Sequence, residues 1–264
     1  MKKIYNTKVL ITNDDGVNSI GLRYLLNIIS NFVEKNNVYI ITPINQRSGI
    51  SKAFSFEIKI EEYTIEEYKA IGITGTPSDA VLLGIECFAK NLNYIFSGFN
   101  LGPNLGIEDV LSSGTVGAAI EGALHNIPSI SLSLVARDWD EYKFLTIEAL
   151  NKLNVWTHKI LYQILKKGLP KNVDLLNINF PLNVVNGVKI TKLGKNVYRN
   201  IYVRINNDVF KVRKWSLDLY TDDDLETDIQ AIRENYISIT PIQIDKIFDI
   251  DLLKETEEFF SEII

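Results

Sequence analysis

Short runs of apolar residues alternate with stretches of helical spacing through the first two thirds of the chain. KVLIT (8–12), VYIIT (38–42), NYIFS (93–97), SISLSLV (129–135) and LLNINFP (175–181) predict strands. The first two have the continuous apolar character of strands buried on both faces, and the last is ended by proline. IGLRYLLNIISNFV (20–33) carries apolar residues at Leu22, Leu26, Ile29 and Val33, and TVGAAIEGALHN (115–126) at Val116, Ala119, Ile120 and Ala123. Both spacings predict helices. TPSDAVLLGIECFA (76–89) predicts a helix with Thr76 as N-cap, Pro77 in the first turn and Asp79 as the reciprocal capping partner. Residues 141–167 predict one long helix or two, and the alternating stretches of 55–73 predict minor strands.

Strand and helix in this rhythm predict an α/β fold: a Rossmann-like, mostly parallel sheet with helices on both faces. After Pro181 the character changes. GVKITKLG, VYRNIYVRIN and FKVRKWSLDLY interleave charged and aromatic residues, predicting a β-hairpin between roughly 197 and 220. A hairpin with so little core of its own is suited to packing on a second subunit. The acidic run TDDDLETD (221–228) reads as a solvated loop, YISITPI (236–242) as a returning strand, and DLLKETEEFFSEI (251–263) as an amphipathic closing helix. The expected division is a catalytic core over 1–185 and a C-terminal extension over 186–264.

Composition narrows the function classes. The 264 residues are 46% hydrophobic and 23% charged, enough for a sizeable core without covalent staples. A net charge of −5 without a basic block argues against bulk nucleic acid as a partner. The single cysteine, Cys87, sits in an apolar helical pattern and is expected to be a buried, inert thiol. With no signal-peptide pattern and no apolar run of membrane-spanning length, cytoplasmic residence and no membrane association are expected.

Ligands bind open α/β sheets at the carboxyl ends of strands. Asp14 and Asp15 stand there, directly after the first predicted strand, in ITNDDGVNSIGL. Adjacent carboxylates repel unless a proton or a cation intervenes. Other polar clusters follow other strands: INQRSGIS (44–51), SGFNLGPNLG (97–106) and SSGTVGAA (112–119). Adjacent strand ends can gather Asp14, Asp15, Ser48 and Asn100, a set of hard oxygen ligands suited to magnesium, manganese or calcium. With two histidines and one cysteine in the chain, a nitrogen and sulfur zinc site is nearly unbuildable. Gly16 permits a sharp turn after the acids, and the SSGT helix start offers an anion site. A divalent cation beside an anion site is what phosphate-ester hydrolysis requires. Each cluster alone has an ordinary explanation: a solvated turn for the acids, a helix cap for SSGT, a cap for Asp79, a dipole contact for His125 and a surface position for His158.

Taken together, ITNDDGVNSIGL, RSGIS, ITGTPSDAV, SGFNLGPNLG, SSGTVGAAIEGA, LLNINFP and YISITPI resemble, in order, the survival protein SurE family of metal-dependent nucleoside monophosphate phosphatases. The resemblance covers most of the chain. It implies 5′/3′-nucleotidase activity, one divalent cation per subunit (magnesium or manganese, with calcium able to occupy the site), and Asp14, Asp15, Ser48 and Asn100 as metal ligands. It further implies that Asn104, Ser113, Gly114 and Thr115 hold the phosphate. It also implies a homodimer or homotetramer in which C-terminal elements are exchanged. SKAFSFEIK (51–59) departs from the family pattern, and Asn235 stands where glycine is more usual.

The expected chemistry is in-line hydrolysis of a phosphomonoester with Asp14 and Asp15 in catalytic roles, the nucleophile being either a water or a carboxylate. A phospho-accepting receiver-like module also carries paired acids after its first strand, but SGFN supplies no acceptor aspartate here. A dehydrogenase would need G-x-G-x-x-G after the first strand, and a haloacid-dehalogenase-type phosphatase would need Asp-x-Asp. A non-catalytic metal- or nucleotide-binding protein is the remaining alternative.

Overall fold

The computed structural model describes residues 4, 6–199, 201–213, 216–220, 222 and 224–247. The elements run β1 (Val9–Thr12), α1 (Ile20–Ile29), β2 (Val38–Pro43), β3 (Ile60–Ile65), β4 (Tyr68–Ile73), α2 (Pro77–Leu83) and β5 (Tyr94–Leu101). They continue α3 (Gly106–Ser112), α4 (Gly114–Leu124), β6 (Ser129–Val135), α5 (Ile147–Leu150), α6 (Asn154–Lys167) and β7 (Leu175–Pro181). The chain then gives β8 (Gly187–Ile190), β9 (Tyr202–Arg204), β10 (Phe210–Val212), α7 (Asp228–Arg233) and β11 (Tyr236–Ile242).

Nine strands form one sheet in the order β3-β4-β2-β1-β5-β6-β7-β11-β8. Pairing is parallel from β4 to β7 and antiparallel for β3 with β4 and β11 with β7. From β1 the chain builds outward through β2 to β4, then returns to lay β5 on the other flank of β1. The strand order therefore reverses between β1 and β5, which opens a crevice at their carboxyl ends.

α1, α5 and α6 close one face over a core that includes Leu22, Leu25, Leu26, Phe96, Leu161 and Phe180. α2 and α4 close the other over Leu10, Ile41, Ile95 and Ala118. Leu25 is fully buried, so truncating it to alanine is expected to cost about 2–5 kcal/mol. Ser19 starts α1 by accepting from Gly21 N and Leu22 N at 3.1 and 3.4 Å. The capping box at α2 forms as expected, with Thr76 Oγ1 accepting from Asp79 N and Asp79 Oδ2 from Thr76 N.

Several expectations are revised. α2 stops at Leu83 and passes into a single π-turn, Gly84–Phe88. The wider turn shifts the helical phase, so Cys87 is exposed instead of buried. Residues 141–167 hold two α-helices, the second of the two expected alternatives, with 3-10 turns before and between them. His158 is half-buried, edge-on to Phe32 with ring centroids 5.6 Å apart. The acidic run is not simply solvated: Asp228 is fully buried and begins α7. The hairpin is the short pair β9–β10, and residues beyond 185 also supply β8 and β11 to the main sheet. The expected closing helix, 251–263, lies outside the described residues.

Candidate active site

Asp14 and Asp15 follow β1 at the crevice. Their turn is closed from below by Asn13, whose side chain donates to Gly16 O at 3.2 Å and accepts from Gly16 N at 3.1 Å. Thr42, on the neighbouring strand β2, donates to the same Asn13 oxygen. Gly16 has φ +94°, and a Cβ there would lie 2.9 Å from Ile44 O, so the turn demands glycine. Val17 N then donates to Pro43 O, and Arg47 N to Asp14 O, which fastens the loop after β1 to the loop after β2.

Asp14 is 3% exposed, and its Oδ1 accepts from Thr115 Oγ1 at 2.5 Å. Thr115 is placed by α4, whose N-cap Ser113 accepts from Val116 N at 3.1 Å. Gly114 permits the approach: a Cβ on it would lie 3.0 Å from Asp14 Cβ and 3.1 Å from Arg47 O. Asp15 Oδ2 accepts from Leu101 N at 3.1 Å, and its Oδ1 lies 3.5 Å from Gln46 Nε2. The same Gln46 nitrogen donates to Ser48 Oγ at 2.9 Å, so Gln46 links Ser48 to the acid pair. Asn100, just before Leu101, donates through Nδ2 to Gly102 O at 2.9 Å, a bond that does not engage its Oδ1. A register shift between Ser97 and Asn100 in the β5–β6 pairing breaks the alternation of side chains at this point.

Asn104 is anchored more deeply. Its N–H donates to Asn179 Oδ1, its Nδ2 to Ser133 Oγ at 2.7 Å, and its carbonyl accepts from Asn177 and Asn179. The asparagines of LLNINFP therefore hold the loop after β5 through side chains that stand where an apolar strand would have none. The crevice thus gathers Asp14, Asp15, Ser48 and Asn100 on adjoining strand ends, with Gly114 and Thr115 against Asp14 and Ser113 capping their helix. Gln46 and the Leu101 N–H belong to the same group and are not among the residues the sequence singles out. Gln46 lies within the strand-end cluster INQRSGIS; a backbone donor leaves no sequence signal.

Burial raises the Asp14 carboxyl well above the ordinary carboxylate range, the Asp15 charge adds to this, and the Thr115 hydroxyl opposes it. Asp15 is also raised by burial, against the Leu101 N–H and Gln46. Among the described residues no lysine, arginine or histidine forms an ion pair with either acid. The Arg47 guanidinium, though close in sequence, donates to Thr74 O. Among the described residues no group of three or more histidine, cysteine or acidic side chains is placed to hold a metal ion by itself. A cation in this crevice would therefore rest on two carboxylates completed by neutral oxygens, which fits a hard divalent ion.

The model of the survival protein SurE family matches residues 9–200. The chain belongs to the SurE family. It is 37% identical to the 5′-nucleotidase SurE of Caldanaerobacter subterraneus, over 97% of this chain and 99% of that one. It is 38% identical to the 5′-nucleotidase SurE of Clostridium botulinum over 90% of this chain and 93% of that protein. The SurE protein of Aquifex aeolicus superposes with a TM-score of 0.77 at 26% identity, covering 96% of this chain and 99% of that structure. The α/β fold of this SurE chain agrees with that neighbour. Among the described residues no helix is long and apolar enough to cross a membrane.

Proposed function

We propose that the protein is a metal-dependent nucleotidase that hydrolyses nucleoside 5′- and 3′-monophosphates to nucleoside and phosphate. The observation that carries this is the adjacent pair of buried Asp14 and half-buried Asp15, which have no basic partner among the described residues, beside the helix start Ser113–Gly114–Thr115. The named 5′-nucleotidase relatives support the same reading. Asp14, Asp15, Ser48 and Asn100 would hold one magnesium or manganese ion, which supplies Lewis-acid polarisation of the phosphoryl group.

The remaining work falls to the chain. Ser113, Gly114 and the N–H groups of the first turn of α4 accept the phosphate dianion, favoured by the helix dipole. Thr115 orients Asp14 through its hydroxyl. Asp15, fixed by Leu101 N–H, orients the group that attacks phosphorus in line with the departing ester oxygen. Asn100 and Asn104 lend amide dipoles to the growing charge on the equatorial oxygens. The exposed apolar residues of β9 and β10, Tyr202, Phe210 and Val212 among them, suit a homodimer or homotetramer in which C-terminal elements are exchanged. A single cysteine suits a reducing, cytoplasmic compartment.

The test is phosphate release from 5′- and 3′-nucleoside monophosphates with manganese or magnesium. Turnover that disappears with chelator and returns with metal supports the reading. Turnover indifferent to chelator, or none on any nucleotide, removes it.

A further inference from the structure

Two arginines line one small pocket beyond the carboxyl ends of β6 and β7. The pocket holds about 260 Å³, and Arg137 and Arg233 line it together with Asn183 and Asn235. Its apolar lining includes Val135 and Ile232, both 3% exposed, and apolar walls strengthen the field of the two charges. Arg233 is fixed in place: its guanidinium donates to Tyr220 O and, at 3.0 Å, to Asp222 O. Carbonyl oxygens carry no net charge, so the positive charge persists. Among the described residues neither Arg137 nor Arg233 forms an ion pair. The acids next to them are committed elsewhere. Glu141 accepts from Arg137 N, Asp138 N and Asn183 Nδ2, and Glu234 pairs with Lys189. Like charges brought to one pocket repel, and an anion between them relieves this as a cation would for Asp14 and Asp15.

The pocket lies to the side of the catalytic crevice. Leu134 of β6 pairs with Leu101, whose N–H holds Asp15. Arg137 follows shortly after Leu134, and Tyr142 fixes the chain between them. The Tyr142 hydroxyl donates to Leu134 O at 2.7 Å and accepts from Ala136 N at 2.8 Å. β5 stands between β1 and β6, so two strand spacings of about 4.8 Å place the pocket on the order of 10 Å from the acid pair.

We propose that this pocket is a second anion site, in which Arg137 and Arg233 bind a phosphoryl dianion. A dianion balances two guanidinium charges, whereas a carboxylate balances one. The planar donor fork of arginine matches phosphoryl oxygens. The volume lies below the range of about 300–1,000 Å³ that encloses drug-sized ligands, so the pocket takes the phosphoryl group and not a whole nucleotide. Two sources share this chemistry: free phosphate, and a second phosphoryl group on a substrate whose first one sits at the acid pair.

The deciding experiment titrates inorganic phosphate into the full chain by calorimetry, at low salt and with chelator present. Wild type is expected to bind one phosphate per chain more than Arg137→Glu does. Arg137→Gln and Arg233→Gln should each weaken that phosphate about tenfold or more. Arg137 is exposed, so its variants keep the fold and decide the question even where Arg233→Gln melts early. Identical isotherms for wild type and Arg137→Glu overturn the site, as does wild type that binds no phosphate. This measurement needs no turnover, so its failure is distinct from failure of the nucleotidase reading. A second measurement, with manganese, identifies the source by comparing KM for a nucleoside 5′-monophosphate and its 3′,5′-bisphosphate. A bisphosphate advantage of about tenfold that Arg137→Gln abolishes assigns the phosphoryl group to the substrate. Equal values, or an advantage that survives the substitution, assign it to free phosphate.

Discussion

Two sets of carboxylates stand at the same end of the sheet and meet different partners. Asp109 and Asp228 each hold three donors from distant parts of the chain or their own helix start. Asp109 accepts from Leu105 N at 3.0 Å and from the hydroxyls of Tyr198 and Tyr220. Asp228 accepts from Gly106 N, Gly194 N and Ile229 N at 2.8–2.9 Å. Asp14 is buried beside the half-buried Asp15; the Thr115 hydroxyl and the N–H groups of Asp14 and Thr115 face Asp14, while Asp15 has Leu101 N as its close donor and a longer contact from Gln46. A carboxylate can accept about four hydrogen bonds. The first set pins distant loops together; the second sets one acid against another at the crevice. Burial by itself does not separate a structural acid from a functional one; an adjacent second carboxylate without a basic partner does.

Exchanging one acid from each set tests that contrast most strongly. Asp14→Asn is expected to lower phosphate release by a factor of about 10³ or more while thermal stability holds or rises, because a buried charge is removed. Asp228→Asn should do the reverse to the fold: an amide N–H would face a backbone N–H, at a cost of about 2–4 kcal/mol in chemical denaturation. If Asp14→Asn unfolds the protein, the contrast fails.

Metal binding gives the next largest effect. Adding manganese at about 100 times its dissociation constant should stabilise wild type by about 2.7 kcal/mol. The gain should vanish in Asp15→Asn and persist in Asp109→Asn, as read by melting with and without chelator.

Titration separates the sets further. Burial pushes Asp109 and Asp228 up to about 6, above their value of 3.8 when unfolded. Between about pH 4 and 6 the folded chain therefore binds more protons than the unfolded one. Their contribution to stability is fully present below pH 4, falls through this window, and is flat above it. Asp109→Asn, which removes one such group, should flatten the slope of stability against pH relative to wild type. A steeper slope would contradict the assignment. The smallest expected effect is that of Thr115→Val, which removes one hydrogen bond to Asp14 and should reduce turnover about tenfold with little change in melting temperature.

Much of this arrangement was legible before the fold was known. The apolar runs located β1, β2, β5, β6 and β7 to within a few residues, and the Thr76–Asp79 spacing gave a capping box that forms as expected. Asn235, in place of glycine, takes φ +60° at the turn into β11, a conformation that asparagine tolerates. The misses share a cause. α3 is a seven-residue helix held by Asp109 and by contacts from the loop after Gly194, so its own spacing is too short to announce it. Asp228 sat in a run of acids that pattern alone assigns to solvent. Helical phase alone buries Cys87, and the π-turn changes that phase.

What the sequence determined by itself is whatever depends on neighbours along the chain: strand and helix, the caps, the sharp turn at Gly16, and two acids at a strand end. What only the tertiary structure decided is which distant group meets those acids. Thr115 reaches Asp14 across 101 positions, Leu101 reaches Asp15 across 86, and Asp228 reaches Gly106 across 122. The physical reason is one of range. Backbone preference and side-chain periodicity act over a turn or two, whereas desolvation and hydrogen-bond supply are fixed only once the sheet has brought its strand ends together.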